Sequence, residues 1–206
     1  MIIPLMTRGR EKYRILPRAF YARPTGIVAR GLLGMVLIRR AGGRTLAGRI
    51  VETEAYASGD PASHAFRGRT ERNKALFGEV GHVYIYQTHG FNFCLNIVAK
   101  KGRPAGGVLI RALEPLEGID LMRRSRGNAG LRSLAKGPGN LTRAMGVDRR
   151  LYGADLTGEG PLFIADDGAP KPKARRTRRI GVAAAKEELR RFAVRDSPYI
   201  TRPRLT

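Results

Sequence analysis

Two glutamates two residues apart, Glu52 and Glu54, occur in a chain that carries 39 lysines and arginines against 17 aspartates and glutamates. Residues two apart on a strand point to the same face, so the pattern places Glu52, Glu54 and Tyr56 together. Paired carboxylates can act as acid and base around a glycosidic bond. Each can also neutralise an arginine, and for Glu52 this salt-bridge interpretation is favoured. For Glu54, next to Tyr56, a chemical role is the working hypothesis.

Tyrosines further along the chain offer a place for a planar ring. By the same alternation Tyr84 and Tyr86 share one strand face, close to Phe91. This pattern is typical of ordinary core packing. It is equally compatible with a pocket in which tyrosine faces stack on a heterocycle while their hydroxyls stay hydrated.

Arg111 interrupts the apolar run Val-Leu-Ile-Arg-Ala-Leu at 108–113. A buried guanidinium requires a carboxylate or an anionic ligand. We therefore expect Arg111 to pair with an acid, and Glu54 is the expected partner.

Metal and cofactor motifs are weak in this sequence. The three histidines, His64, His82 and His89, have neither HExxH spacing nor nearby cysteines. The glycine-rich stretch 136–140 lacks the Lys-Ser/Thr ending of a phosphate loop. A mechanism without metal or cofactor is favoured. A sugar hydrolase is disfavoured, because the chain has no tryptophan to serve as a sugar platform.

The net charge of +22 over 206 residues points to a polyanionic partner. Nucleic acid is the first expectation and an anionic membrane surface the second. The length suits one domain. No apolar run approaches membrane-spanning length, the first residues do not resemble a signal peptide, and the single Cys94 suits a reducing compartment. We therefore expect a cytoplasmic protein.

Local patterns predict both helices and strands. Helices are expected at 17–21, 25–33 (with Thr25 as N-cap), 71–77, 115–124, 141–145 and 186–191. Strands are expected at 35–38, 45–56, 82–86, 91–98, 108–113, 162–165 and 180–183. Flexible segments are expected at 1–12, 124–136 and 168–179. Because the strands cluster without intervening helices, one α+β domain over residues 1–206 with antiparallel hairpins is predicted.

Eight segments in order along the chain carry a family resemblance. They are RIVETEAY at 49–56, DPASH at 60–64, GRTERN at 68–73, GHVYIY at 81–86, NFCLN at 92–96, LIRALEPLE at 109–117, KGPGNL at 136–141 and RIG at 179–181. Together they resemble the alkyladenine (3-methyladenine) DNA glycosylase family. The likeness covers most of the chain.

The resemblance implies a compact mixed α/β domain with a curved antiparallel sheet, surrounding helices and a β-hairpin that inserts into the DNA minor groove. It implies a monomer of DNA base excision repair that acts on double-stranded DNA. The damaged nucleotide would be flipped into a pocket, and its N-glycosidic bond hydrolysed without metal or covalent intermediate. Alkylated purines are the implied substrates, with deaminated and etheno purines as further candidates.

The resemblance also assigns roles to residues. Glu54 would be the general base that activates water, and Arg111 would help to position that water. The flipped base would contact Tyr56, His64 and Tyr86. Asn96 would crowd the exocyclic amino group of normal guanine.

The hairpin departs from the family pattern. His89-Gly90 stands where the family has Tyr-Gly, so His89, with Tyr84 nearby, becomes the candidate for intercalation or backbone contact. Imidazole is smaller than a tyrosine ring and can meet a phosphate when it is charged. An alternative function, a non-catalytic basic DNA- or RNA-binding domain of the same fold, would bind nucleic acid without releasing a base.

Overall fold

The computed structural model describes residues 13–88, 90 and 92–201. Within them, nine strands form one sheet in which neighbouring strands are antiparallel. The strands are β1 (Arg14–Ile15), β2 (Val36–Ala41), β3 (Arg44–Ala57), β4 (Val83–Thr88), β5 (Asn92–Val98), β6 (Gly106–Glu117), β7 (Leu162–Asp166), β8 (Ala174–Thr177) and β9 (Arg191–Val194). The helices are α1 (Arg18–Tyr21), α2 (Thr25–Gly31), α3 (Ile119–Ser125) and α4 (Pro138–Met145), with short 3-10 helices at Lys74–Phe77, Leu131–Ser133 and Arg149–Leu151. The α+β class and the antiparallel hairpins are confirmed.

β3 is the strand around which the candidate site is built. One of its edges pairs with β6, while the other pairs with β2 over its first half and with β9 at Glu52–Glu54. Ile50, Val51 and Thr53 are β-branched residues that favour an extended backbone. The two glutamates therefore lie inside the sheet, between β6 and β9.

A β-bulge places Arg111 next to those glutamates. Glu52 lies opposite Ala112, and the next residue, Thr53, lies opposite Ile110, so Arg111 is an extra residue on β6. A bulge of this kind redirects a side chain and locally bends the strand.

α2 packs against β3 and β6, and α4 packs against β5 and β6. The sequence-based prediction for the start of α2 is corrected here. Thr25 is the first helical residue, after Pro24, and its hydroxyl donates a hydrogen bond to the Ala99 carbonyl (2.9 Å) instead of capping the helix. Ile27, an apolar residue of this helix, is 54% exposed.

Two further helix predictions shift. The predicted helix at 115–124 begins later, because β6 continues to Glu117 and α3 begins at Ile119. Gly118 joins them with a positive φ of 74°, a conformation that glycine adopts without strain. The predicted helix at 71–77 is a single 3-10 turn, Lys74–Phe77.

The C-terminal region differs most from the predictions. The expected strand at 180–183 and helix at 186–191 are absent among the described residues. Instead β8 lies inside the segment predicted to be a flexible loop at 168–179, and β9 begins at Arg191. Between them, residues 178–190 form an irregular segment that we call the strap. The backbone N–H of Ile180 and the side chains of Arg179 and Arg190 bond to acidic residues of another part of the chain.

The other two segments predicted to be flexible are 124–136 and 1–12. Residues 124–136 include the end of α3 and a 3-10 helix, and Leu134 and Ala135 are buried in the core. Residues 1–12 lie outside the described part of the chain. β4 ends at Thr88 and β5 begins at Asn92, and His89, the candidate for intercalation, also lies outside the described residues.

Candidate functional site

An open cleft of about 300 Å³ lies where β4, β5 and the loop after β3 face the strap. Five of the residues predicted from the sequence line it: Tyr56, His64, Tyr84, Tyr86 and Asn96. The strap supplies the facing wall through residues 181–184. The volume falls at the lower end of the range for small-ligand sites.

Glu54 and Arg111 do not line this cleft; they lie behind Tyr56. Glu54 is fully buried and Arg111 is 6% exposed. The Tyr56 hydroxyl donates a hydrogen bond to Glu54 Oε2 (2.8 Å). Tyr56 therefore connects the buried carboxylate to the cleft.

Three donors fix the Glu54 carboxylate. In addition to Tyr56, Arg111 Nη1 donates to Oε2 (3.1 Å), and the backbone N–H of Ile180, in the strap, donates to Oε1 (2.9 Å). The predicted Arg111–Glu54 pair is confirmed. Although burial alone would lower the pKa of Arg111, attraction to Glu54 and Glu52 raises it above its usual value, so the guanidinium stays charged.

Glu52 has a full set of structural partners. Its Oε1 accepts hydrogen bonds from Arg191 Nε (2.6 Å) and Arg111 Nε (3.2 Å), and its Oε2 accepts from the Thr201 N–H (2.7 Å). The salt-bridge interpretation of Glu52 is confirmed. Two buried arginines thus balance two buried glutamates, as charges removed from water require.

The cleft wall is aromatic. His64 and Tyr86 have ring centroids 4.4 Å apart at an interplanar angle of 66°, and Tyr84 and Tyr86 are 5.7 Å apart at 32°. The Tyr84 hydroxyl lies 2.9 Å from His64 Nδ1. Desolvation raises the pKa of Tyr84 to about 12, so this phenol keeps its proton. The predicted shared face of Tyr84 and Tyr86 is confirmed.

The surroundings of His64 favour its neutral form. Desolvation and the nearby charge of Arg72 lower its pKa below the usual value. A neutral imidazole that accepts the Tyr84 proton at Nδ1 carries its own proton on Nε2. His64 can then offer a hydrogen-bond donor in addition to an aromatic surface.

The loop that carries His64 is tied down by Asn73, which is buried. Its Nδ2 donates to the carbonyls of His64 (2.8 Å) and Gly68 (3.0 Å). The same loop exposes half of the Phe66 side chain. Four basic side chains around it are also exposed: Arg67, Arg69, Arg72 and Lys74. An aromatic ring among exposed cations is a surface that suits nucleic acid.

Asn96 lies on β5, in the cleft wall, and is 5% exposed. Its Nδ2 donates long hydrogen bonds to the carbonyls of Tyr84 and Cys94, both at 3.3 Å. Asn96 therefore satisfies backbone carbonyls of β4 and β5. The discrimination role stays a prediction.

Sequence reasoning did not identify two charged residues next to the cleft, Asp60 and Arg179. Their side chains are fully buried and form an ion pair with each other. The Arg179 guanidinium carbon lies 4.8 Å from the centre of the Tyr56 ring. Both residues stand in segments that carry the family resemblance, but no local spacing connects positions so far apart in sequence.

The described residues contain no candidate metal site and no candidate membrane-spanning helix. No group of three or more histidines, cysteines, aspartates and glutamates is placed to hold a metal ion. None of the helices in this part of the chain has the length and apolarity needed to cross a bilayer.

Comparison with known proteins identifies the family. The family model for methylpurine-DNA glycosylase matches residues 19–198. A protein of Carboxydothermus hydrogenoformans is 44% identical over 192 residues, covering 91% of this chain and 99% of its own length. Relatives from Mesorhizobium japonicum (97% of this chain, 95% of the relative) and Methanoculleus marisnigri (91% and 98%) are also 44% identical. All three carry the provisional name 3-methyladenine DNA glycosylase. The chain belongs to the methylpurine-DNA glycosylase family.

Proposed function

We propose that the protein is a monofunctional DNA glycosylase that flips an alkylated purine out of double-stranded DNA and hydrolyses its N-glycosidic bond. One observation carries the proposal. A buried carboxylate, Glu54, is hydrogen-bonded to Tyr56 at the back of a cleft walled by aromatic rings. The net charge of +22 supplies the attraction for DNA. The protein would act as a monomer.

Glu54 would carry the chemical step. An alkylated purine that is already cationic leaves readily, so the main demands are an oxocarbenium-like sugar and a positioned water molecule. A carboxylate answers both, because its charge stabilises the sugar cation and it accepts the proton of the attacking water. Water adds to C1′, the C1′–N bond breaks, and the base leaves with the bonding electrons. Neutral deaminated or etheno purines would additionally need a proton donor.

The geometry restricts where the water can bind. Oε2 already accepts two hydrogen bonds, whereas Oε1 accepts one, from Ile180. A carboxylate oxygen can accept two. The water would therefore approach Oε1 from the side of the strap, and Arg111 would orient it through the carboxylate.

The cleft would recognise the base by shape and stacking. Tyr56, Tyr86 and His64 offer ring faces and edges to a planar purine. Asn96 would clash with the 2-amino group of guanine, which adenine and hypoxanthine lack. The opposite-strand and wedge contacts would come from the β4–β5 hairpin, where the sequence predicts His89.

Release of free base from methylated duplex DNA tests the proposal. Wild-type protein should release 3-methyladenine and leave abasic sites that break in alkali, and a panel of deaminated and etheno purines would define the substrate range. The complete burial of Glu54 favours one alternative, a DNA-binding protein without turnover. That protein would retard methylated duplex on a gel and release no base.

A further inference from the structure

Asp60 holds both ends of the strap with one carboxylate. Its Oδ1 accepts a hydrogen bond from Arg179 Nη2 (3.1 Å), and its Oδ2 pairs with Arg179 Nη1. Arg190 Nη1, at the other end of the strap, lies 3.0 Å from the same Oδ2. Bidentate arginine–carboxylate pairs of this kind fix geometry as well as charge. Neither Asp60 nor Arg179 lines the cleft.

Arg179 joins this anchor to the proposed base. Its Nη1 also donates to the Ala55 carbonyl of β3 (3.1 Å), and its guanidinium lies over the Tyr56 ring. The next residue, Ile180, donates its N–H to Glu54 Oε1. The position of that N–H, and of the wall at 181–184, therefore depends on where Arg179 is held.

We infer that Asp60 is a positioning residue for the reaction: its ion pair with Arg179 fixes the strap so that the Ile180 N–H sets the orientation of the Glu54 carboxylate. The inference rests on the proposed function. Removing the Asp60 charge leaves Arg179 buried without its partner, and the strap must then move to hydrate it. A displacement of about 1 Å at the proposed base is enough to slow a reaction strongly.

The chain contains a matched control in the same strap. Arg178 pairs with Glu187, but these side chains are 66% and 77% exposed. Exposed pairs contribute little to structure. Arg178→Gln should therefore leave the Ile180 N–H and the excision rate unchanged, although it removes one positive charge from the protein, as Arg190→Gln does.

Single-turnover excision of a methylated purine at saturating enzyme tests the inference. Asp60→Asn should slow excision at least about tenfold, while binding to duplex that contains an abasic-site analogue changes less than about threefold. The Arg190 side chain is 29% exposed, so Arg190→Gln should disturb folding less, and it should give a smaller loss of the same kind. Arg178→Gln should stay within about twofold of wild type.

A double variant distinguishes a positioning role of Asp60 from a general loss of rigidity in the protein. In a Glu54→Gln background, Asp60→Asn should cause no further loss, because the group it positions is already gone. A further loss of tenfold or more in that background would overturn the inference. An unchanged rate in both single variants, Asp60→Asn and Arg190→Gln, would do the same.

Amide hydrogen exchange at Ile180 tests the inference without relying on activity. Exchange should be slow in the wild type and in Arg178→Gln, and faster in Asp60→Asn and Arg190→Gln. Equally slow exchange in all four proteins would refute the anchor. If the wild type releases no base from methylated DNA, the proposed function fails, and the exchange result still decides whether Asp60 fixes the strap.

Discussion

Replacing Glu54 with glutamine tests the central chemical assignment. The substitution preserves size but removes the charge and one acceptor. Oxygen Oε2 faces two donors, Tyr56 and Arg111, whereas Oε1 faces one, Ile180. The amide will therefore keep its oxygen toward Tyr56 and Arg111 and turn its NH₂ toward the Ile180 N–H. This leaves a single donor–donor conflict, which costs about 1–3 kcal/mol of folding stability.

The excision rate of Glu54→Gln should fall by more than its lower folding stability can explain. A glutamine cannot accept the proton of water, and it offers no negative charge to the sugar cation. We expect single-turnover excision to fall by about 10² or more, which corresponds to about 2.7 kcal/mol of transition-state stabilisation. Binding to duplex that contains an abasic-site analogue should change little.

Glu52→Gln is the matched control for this experiment. It disturbs the same buried cluster by weakening the bonds to Arg191, Arg111 and Thr201, but it leaves the proposed base in place. It should lower the melting temperature while excision by the folded protein stays within about tenfold of wild type. Near wild-type excision by Glu54→Gln together with an inactive Glu52→Gln would refute the assignment and make Glu52 the base.

Four other outcomes follow from the structure. Asn96→Ser should raise release of undamaged guanine relative to hypoxanthine, because it shortens a cleft-wall side chain. An unchanged ratio of guanine to hypoxanthine release, with a lower melting temperature, would mean that Asn96 only bonds the Tyr84 and Cys94 carbonyls. Binding to undamaged duplex should weaken with salt at a log–log slope of about −0.9 per phosphate neutralised, and a flat titration would make the excess charge irrelevant to DNA. Because the pKa of His64 is lowered in the folded protein, the unfolded chain takes up a proton more readily than the folded one below about pH 6.5. The free energy of unfolding should therefore fall as the pH falls toward the folded pKa. His64→Gln should remove that pH dependence from melting curves measured between about pH 5 and 8 at about 0.1 M salt. Phe66→Ala should weaken binding to duplex about three- to tenfold without changing the log–log slope of affinity against salt concentration. Arg67→Gln should lower that slope. Equal effects of the two substitutions on the slope would contradict a stacking role for Phe66.

The sequence predicts the parts of the site that depend on local alternation. β3, β4 and β5 were expected within two residues of their observed bounds, whereas β6 is twice as long as the predicted strand at 108–113. Tyr84 and Tyr86 share a face because strand side chains repeat every two residues. The Arg111–Glu54 contact was also expected from the cost of burying a lone guanidinium. What the alternation could not show is that Arg111 occupies a bulge and contacts both glutamates. That geometry depends on strand register and not on residue type.

The strap could not be predicted for a different reason. Most of its sequence, IGVAAAKEELR at 180–190, has enough apolar and helix-favouring residues to suggest a strand followed by a helix. Its observed path is set by bonds to Glu54 and Asp60, more than a hundred residues earlier. Tertiary contacts of that range override local propensity, and they leave no periodic signal in the sequence.

The strap and the strands around it distinguish the neighbouring acids by their bonding partners. Three carboxylates between residues 52 and 60 each bind the C-terminal part of the chain: Glu52 binds Arg191 and the Thr201 N–H, Glu54 binds the Ile180 N–H, and Asp60 binds Arg179 and Arg190. The sequence favoured a salt bridge for Glu52 and a chemical role for Glu54, without showing the partners of either glutamate. In the structure Glu52 and Asp60 each hold two arginines, whereas Glu54 shares its one arginine with Glu52 and bonds to the cleft residue Tyr56. A carboxylate that accepts a proton during a reaction needs an oxygen that can take a further hydrogen bond. Of these three carboxylates, Glu54 is the one that also bonds to a side chain of the cleft wall, that of Tyr56, and this supports its proposed role as the base.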